Sequence, residues 1–216
     1  MDLEKNPKTR HLVRKLLSLS DKFSGLAFPK MERVRQASSS HCGPAVLVTL
    51  FSNFDIKVSQ RSIVASLRAQ NKIKKFGFNM VDMGKATKII AKGKFSFWKK
   101  TNAKVSDLDA AVNKHKSPVG VEWQGVFYED EDEDNGHFSV ITKIDKKSGY
   151  LRIADPYYKF AGVDRKFKTR EFEKRWWDEN VIKGRNLHDK RVMFVIVPKG
   201  ETWPKKLGMK KGVTSK

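Results

Sequence analysis

The order of hydrophobic patterns along the chain is the feature that most constrains its fold. Between residues 42 and 116, apolar residues recur at helical spacing in "AVLVTLF", "VSQRSIVASLRAQ", "NMVDMGKATKIIAK" and "VSDLDAAVNKHK". Ser59 and Ser106 are the expected N-caps of the second and the fourth of these helices. After Pro118 the pattern changes to β-branched or alternating runs separated by turn-forming clusters: "PVGVEW", "HFSVITKID", "YLRIADP" and "RVMFVIVP". Because helices come first and strands follow, the sequence predicts an α+β fold with an antiparallel sheet.

The length of 216 residues suits one domain with extensions. Residues 1–30 carry a weakly amphipathic run around Leu12 and Leu16, which predicts an N-terminal helical extension. Residues 31–200 hold the helical and strand patterns and are expected to form the domain itself. Residues 201–216 are rich in lysine and are expected to form a basic flexible tail.

Composition excludes several kinds of protein. A single cysteine rules out an intramolecular disulfide framework and a thiolate-rich zinc cluster. We expect no metal site and no cofactor. The longest apolar run, "VMFVIV", is too short to span a bilayer. The first residues have scattered charges and no apolar core segment, so we expect no secretory signal and a cytoplasmic protein.

The chain is strongly basic, with 45 Lys and Arg residues against 24 Asp and Glu and a formal net charge of +21. Such a field attracts nucleic acid, anionic membranes or acidic protein surfaces. The basic residues are nevertheless spread along the whole chain, as in a lysine-rich solvated surface. The sequence carries no nucleic-acid-binding motif, so both interpretations of the charge stay open.

The cysteine, Cys42, raises the question of a nucleophile or a small apolar filler. A helix that begins here, with Pro44 in its first turn, would place its positive dipole end at the sulfur and favour the thiolate. The backbone N–H groups of Cys42 and Gly43 could stabilise an oxyanion, and Gly43 would let a substrate backbone approach. Gln36, six residues upstream, offers a side-chain amide as a further donor, or is a loop residue in contact with solvent.

Two further residues could complete a thiol-based site. His137 follows Gly136 and opens one predicted strand, and Asp155 ends the next one. Adjacent antiparallel strands would bring the two side chains together, so that Asp155 could orient the imidazole. The alternatives are a structural histidine and a turn-forming aspartate before proline. His41 is a poor base for Cys42 because neighbours at a helix start point in different directions.

The order of these residues resembles that of the papain-like cysteine peptidases. The motifs that carry the resemblance are Gln36, "CGPA" from Cys42, "GHFSVI" from Gly136 and "IADPYY" around Asp155, and they cover about residues 35–197. The sequence is most similar to the bacteriocin-processing type, the double-glycine leader peptidases, which occur in bacteriocin-exporting ABC transporters and as stand-alone proteins.

The resemblance implies a role for each residue. Cys42 would be the nucleophile and His137 the general base and acid, while Asp155 orients the imidazole and Gln36 donates to the oxyanion. Gly43 and Gly136 would lie at the bound substrate. The family often has an acidic residue directly before the cysteine, where this chain has His41, and this difference bears on substrate preference.

The resemblance thus predicts a cysteine peptidase that acts on a peptide or protein and cleaves after small residues of a leader peptide. Two alternatives keep the fold: a catalytically idle module that binds a peptide or partner, and a thiol-dependent deamidase or transglutaminase. The acidic run Glu129–Asp134 favours basic substrates or gates the cleft, or is a solvated loop. Its density of oxygen atoms would also suit calcium, but its spacing lacks the EF-hand pattern.

Overall fold

A group of helices forms the first part of the fold. The structure is a computed structural model that describes residues 27–127, 136–182 and 185–212. In chain order the helices are α1 (Cys42–Ser52), α2 (Gln60–Ser66), α3 (Gln70–Phe76), α4 (Met80–Ile90), α5 (Val105–Asp109), which continues as a π-helical turn (Ala110–Lys114), α6 (Thr169–Arg175) and α7 (Trp203–Lys206).

A seven-stranded sheet forms the second part. Its strands are β1 (Phe95–Lys100), β2 (Val119–Gln124), β3 (Gly136–Asp145), β4 (Tyr150–Ala154), β5 (Asp164–Lys168), β8 (Val192–Pro198) and β9 (Lys210–Lys211), and β6 (Trp177–Ile182) pairs with β7 (Arg185–Lys190) as a separate hairpin. The strand order is β5-β4-β3-β2-β8-β1-β9, and every pair is antiparallel. The predicted α+β fold is therefore confirmed.

Both faces of the central strands are covered, so almost every residue of β2, β3 and β8 is buried, polar residues included. On β3, Val140 belongs to the core beneath α1 to α4, whereas the next residue, Ile141, belongs to the core that includes Leu108 of α5 and Phe172 of α6. Gly120 of β2 has no room for a side chain, because an added Cβ would lie 2.2 Å from the ring of Phe194. A strand with two buried faces cannot show the polar alternation of a half-exposed strand.

Local signals placed the ends of some helices correctly. Ser59 caps α2 as predicted, since its side chain accepts a hydrogen bond from the Ser62 N–H. The predicted cap at Ser106 is wrong: α5 begins after Lys104, whose N–H donates to Asp107 at 2.8 Å. The helix α3 and the strand β1 were not predicted, because their lysine-rich sequences carry little apolar periodicity.

The chain before α1 is tied to the far edge of the sheet. The side chains of Arg33 and Asp164 form an ion pair at 3.0 Å and are only 4% and 0% exposed, and Arg33 also donates to the carbonyls of Ala27 and Phe28. This pair anchors residues 27–33 to β5. Most of the expected N-terminal extension, residues 1–26, lies outside the described residues.

Within the segment expected to be a basic tail, α7 and β9 are ordered elements. β9 pairs with Trp98 and Lys99 of β1, so regular structure extends past the expected boundary at residue 200. Among the described residues we find no helix with both the length and the apolarity required to cross a bilayer.

Candidate active site

Cys42 is the first residue of α1, and its side chain is partly exposed. The next nine residues of this helix are all buried, so the core holds the helix start rigidly in place. The first N–H groups of a helix have no partner within the helix, and they give its N-terminus a positive potential. The fold therefore places the sulfur where a thiolate is favoured.

His137 and Asp155 meet in the interior beside this helix start. His137 lies on β3, and Asp155 follows the last residue of the neighbouring strand β4. The Nε2 atom of His137 is 2.9 Å from Oδ1 of Asp155, and the two residues are 3% and 2% exposed. The antiparallel pairing of the two strands thus brings these side chains together, as the sequence predicted.

The imidazole also forms a hydrogen bond with the side chain of Cys42. Since Nε2 bonds to Asp155, Nδ1 is the ring nitrogen left for the thiol. Burial acts to lower the pKa of His137, but the hydrogen bonds and negative charges of Asp155 and Cys42 outweigh it and raise this pKa to about 9.

The pKa values of the Cys42 thiol and of the Asp155 carboxyl group are both lowered. Burial acts to raise the pKa of the Cys42 thiol, but the contact with His137 and hydrogen bonds from the backbone of Phe138 and Gly43 lower it overall. Burial likewise opposes ionisation of Asp155, and its bonds with His137, the Tyr157 N–H and Arg165 more than compensate, so its pKa is lowered. The arrangement therefore favours a thiolate, an imidazolium and a carboxylate in series.

Sequence reasoning missed two residues that contact this series. Arg165 of β5 donates from Nη1 to Oδ2 of Asp155 at 2.7 Å. The ring of Phe127 stands edge-on to the imidazole of His137, with the ring centroids 5.0 Å apart, and packs against Tyr157. No local pattern pointed to either residue, because Phe127 follows β2 and Arg165 binds a carboxylate that follows another strand, β4.

Gln36 is buried close to the helix start, but its amide faces the loop. Its Nε2 donates to the carbonyls of Ser38 and Ser39 at 2.8 and 3.2 Å. Its Oε1 is buried and accepts no hydrogen bond from the described residues. The opposite orientation of the amide would set this oxygen against two carbonyl oxygens. In this structure, therefore, the amide N–H groups hold the loop that leads to Cys42.

The two candidate glycines contact other parts of the protein. A Cβ on Gly43 would lie 2.9 Å from Cβ of Phe78 and 3.2 Å from Sδ of Met83, so the packing of α1 against the start of α4 requires a glycine here. A Cβ on Gly136 would lie 2.4 Å from Oδ1 of Asp178, so this glycine permits β6 to approach β3. Protein packing accounts for both positions without reference to a substrate.

The other described histidines have separate partners. Nδ1 of His41 is 2.6 Å from Oγ of Ser38, which directs this ring to the loop before α1. His115 stacks on Trp203, and His188 stacks on Trp177.

Cys42 opens into a cleft of about 280 Å³. The cleft is lined on the helical side by serines and aromatic residues, among them Ser39 and Phe78, and on the sheet side by Phe138 and by the acidic residues Glu122, Asp178 and Glu179. A larger cavity of about 670 Å³ lies elsewhere, beside Phe28, Val112 and Thr142. The acidic run Glu129–Asp134 falls outside the described residues, and among those described no cluster of side chains has the composition of a metal site.

Comparisons with known proteins agree with this architecture. Residues 28–180 match the family model described as Peptidase_C39 like family. The peptidase domain of Streptococcus ComA, a bi-functional ABC transporter involved in a quorum sensing pathway, shares the fold with a TM-score of 0.56 and 18% identity, covering 79% of this chain and 99% of that one.

A second solved structure is a double glycine motif protease from an AMS/PCAT transporter in complex with the leader peptide. It has a TM-score of 0.52 and 16% identity, and the match covers 81% of this chain and 95% of that one. A search of curated proteins found no match.

Proposed function

The chain belongs to the Peptidase_C39-like family, and we propose that it is an active cysteine peptidase in which Cys42 is the nucleophile and His137 the general base and acid. The observation that carries the proposal is the continuous hydrogen-bond series from Cys42 through His137 to Asp155, beside an open cleft. A buried imidazole between a thiol and a carboxylate is the arrangement that nucleophilic catalysis by cysteine requires.

In the proposed mechanism, the Cys42 thiolate attacks the carbonyl carbon of the scissile amide and forms a tetrahedral oxyanion. The imidazolium of His137 then donates a proton to the leaving amine as the C–N bond breaks, which leaves a thioester on Cys42. His137, now neutral, removes a proton from water, and the resulting attack releases the carboxylic acid and restores the thiol–imidazole pair. Asp155 keeps Nε2 bonded throughout, so that Nδ1 faces the reacting atoms.

The oxyanion would be stabilised by the backbone N–H of Cys42 and by the amide of Gln36. Gln36 makes its longer hydrogen bond, 3.2 Å, to Ser39, and we propose that this N–H turns to the oxyanion when the substrate binds. The free-energy cost of this rotation is small, because the N–H exchanges the carbonyl oxygen of Ser39 for the oxyanion, which carries more negative charge.

The proposed substrate is a peptide cleaved after small residues, as in a leader peptide. One structural neighbour is a double glycine motif protease in complex with the leader peptide, which supports an extended peptide in the corresponding cleft here.

The decisive experiment is intact-mass detection of a covalent adduct with an epoxide or peptide-aldehyde inhibitor of cysteine proteases. Because Cys42 is the one cysteine of the chain, a thiol adduct identifies this residue, and Cys42→Ala is the control. We expect one adduct on the native protein and none on the variant. Cleavage of a peptide library by the same preparation separates peptidase activity from deamidation or transamidation, whereas an unreactive thiol supports a peptide-binding module.

Contact with a polyanion through the basic surface is a separate proposal that rests on the net charge of +21. Binding of this kind weakens steeply with salt and ignores nucleotide sequence. If the electrophoretic mobility of a DNA probe at low salt stays unchanged when the protein is added, this proposal is wrong.

A further inference from the structure

A partly buried cation, Arg165, is bonded to the carboxylate of the proposed catalytic series. Arg165 stands opposite Ile153 in the pairing of β5 with β4. Its Nη1 donates to Oδ2 of Asp155 at 2.7 Å, while Oδ1 of the same carboxylate accepts hydrogen bonds from His137 and from the Tyr157 N–H, both at 2.9 Å. The two oxygens of Asp155 thus serve different partners, and one of them is bonded to a full positive charge.

Aromatic rings hold this cation in place. The guanidinium carbon lies 3.6 Å from the ring centroid of Phe160 and 4.8 Å from that of Phe167. The side chain of Arg165 is only 16% exposed, and that of Asp155 is fully buried. Cation–π contacts and low exposure keep the charge close to the carboxylate and weaken its screening by water.

We propose that Arg165 is a positioning residue that sets the acid strength of His137 by sharing the negative charge of Asp155. This inference rests on the proposed function, because it assigns Arg165 a task in the same proton transfers. With Arg165 present, the Asp155 carboxylate still orients the imidazolium of His137. Its attraction for the imidazolium proton is weaker, because part of its negative charge is balanced by the guanidinium. The proton can then pass to the leaving amine.

The other charged groups around His137 act in the opposite direction. The Cys42 thiolate approaches it from α1 and Asp155 from the end of β4. The cleft beside Cys42 is lined by the carboxylates of Glu122 from β2 and of Asp178 and Glu179 from β6.

The charges of Cys42 and Asp155 favour the imidazolium. On β5, the residue before Arg165 is Asp164, which is already neutralised by Arg33. Arg165 is a positive charge bonded directly to Asp155, and by the proposal it limits how strongly the site retains the proton on His137.

A general acid works best when its pKa lies near the working pH. The pKa of His137 is already raised to about 9. If Arg165 were neutral, the undivided charge of Asp155 would raise this pKa further, and proton donation to the leaving amine would slow.

The test is the titration of His137 itself, followed by NMR of the imidazole Cε1–H in histidine-labelled protein, with His137→Asn to assign the signal. Loss of the positive charge in Arg165→Gln is expected to raise the pKa of His137 by about one unit, whereas Arg165→Lys is expected to keep it near the native value. The matched control is Lys166→Gln, which removes a charge from the next residue of β5. Lys166 is exposed and lies over the ring of Tyr150, so this variant should leave the titration unchanged.

The direction of the shift separates this role from a purely structural one. If Arg165 only held the loop of Asp155, its loss would release the carboxylate from the imidazole, and the pKa of His137 would fall. A fall, or no change, in Arg165→Gln overturns the proposal.

If that variant does not fold, Phe160→Ala keeps the charge but removes one of its supporting rings, and here a smaller rise is expected and no rise contradicts the proposal. The titration needs neither substrate nor a reactive thiol, so failure of the inhibitor adduct at Cys42 would count against the peptidase function separately.

Discussion

The N–H of Gln36 donates to the carbonyl of Pro156 at 2.8 Å, and this hydrogen bond joins the two sides of the candidate site. Gln36 begins the loop that leads to Cys42, and Pro156 directly follows Asp155. The bond therefore fixes the distance between the candidate oxyanion donor and the carboxylate that orients His137. A substrate that occupies the cleft meets a site whose two halves are already connected.

Gln36 and Gln60 provide a matched pair for the oxyanion role. Gln60 clamps the same loop from outside, since its Oε1 accepts from the Ala37 N–H at 3.0 Å and its Nε2 donates to the Arg35 carbonyl at 2.8 Å. Gln36→Ala is expected to lower kcat about a hundredfold or more, because an oxyanion donor is lost. Gln60→Ala should cost far less in kcat. Equal losses in both variants, measured on the same peptide, would mean that Gln36 only supports the loop.

The thiol of Cys42 is expected to react as a thiolate at neutral pH. The alkylation rate with iodoacetamide, measured by intact mass between pH 4 and 10, should give an apparent pKa below the ordinary value of about 8.5. The same chain unfolded in urea is the control and should return to the ordinary value. In His137→Asn the pKa of the folded protein's thiol should move toward that value, because the positive charge that stabilises the thiolate is lost. A native thiol that titrates like the unfolded one would contradict the ion pair.

Asp155 links stability to acid pH. Its pKa is lowered in the folded protein, so its contribution is present above its unfolded pKa of about 3.9 and disappears as the pH falls through the folded value. Asp155→Asn should therefore lower the free energy of unfolding at pH 7 by about 3 kcal/mol or more, and the difference from the native protein should shrink below pH 4.

The measurement for Asp155 is the free energy of unfolding in urea, for the native protein and for Asp155→Asn, at pH 7 and at a pH below 4. The control is Asp55→Asn, because the ion pair of Asp55 with Lys30 is 3.8 Å long and exposed, and such pairs contribute at most about 1 kcal/mol. A difference between native protein and Asp155→Asn that stays the same at both pH values would contradict the shift.

Ser59 and Ser106 were both expected to cap a helix, but only Ser59 does so, and substitution of the two residues should therefore have different effects on stability. Ser59→Ala removes a real cap of α2 and should cost about 1 kcal/mol of stability. Ser106→Ala lies inside α5, whose first turn is closed by Asp107 and Lys104, and should change stability by less than about 0.5 kcal/mol. Thermal unfolding of both variants side by side tests the assignment, and a larger loss at Ser106 would reverse it.

Some of the site could be predicted from the sequence, because the relevant signals are local or follow from strand order. The apolar run after Cys42 predicted a helix start at this residue, and the patterns around His137 and Asp155 predicted two consecutive strands. Consecutive strands usually pair, and antiparallel pairing then places the end of one beside the start of the other. The contact between His137 and Asp155 follows from this geometry.

The sequence by itself determined the α+β order and the helix that presents Cys42, because hydrophobic periodicity is set by neighbours within a few residues. Only the tertiary structure decided that β1 joins the sheet, that Gly43 serves the packing against Phe78 and Met83, and that Arg165 binds Asp155. Each of these contacts joins residues of different helices, strands or loops, and β1 in addition has a sequence with weak apolar periodicity. Their energy arises only when the core closes and removes charges and apolar surface from water, so no local pattern records it.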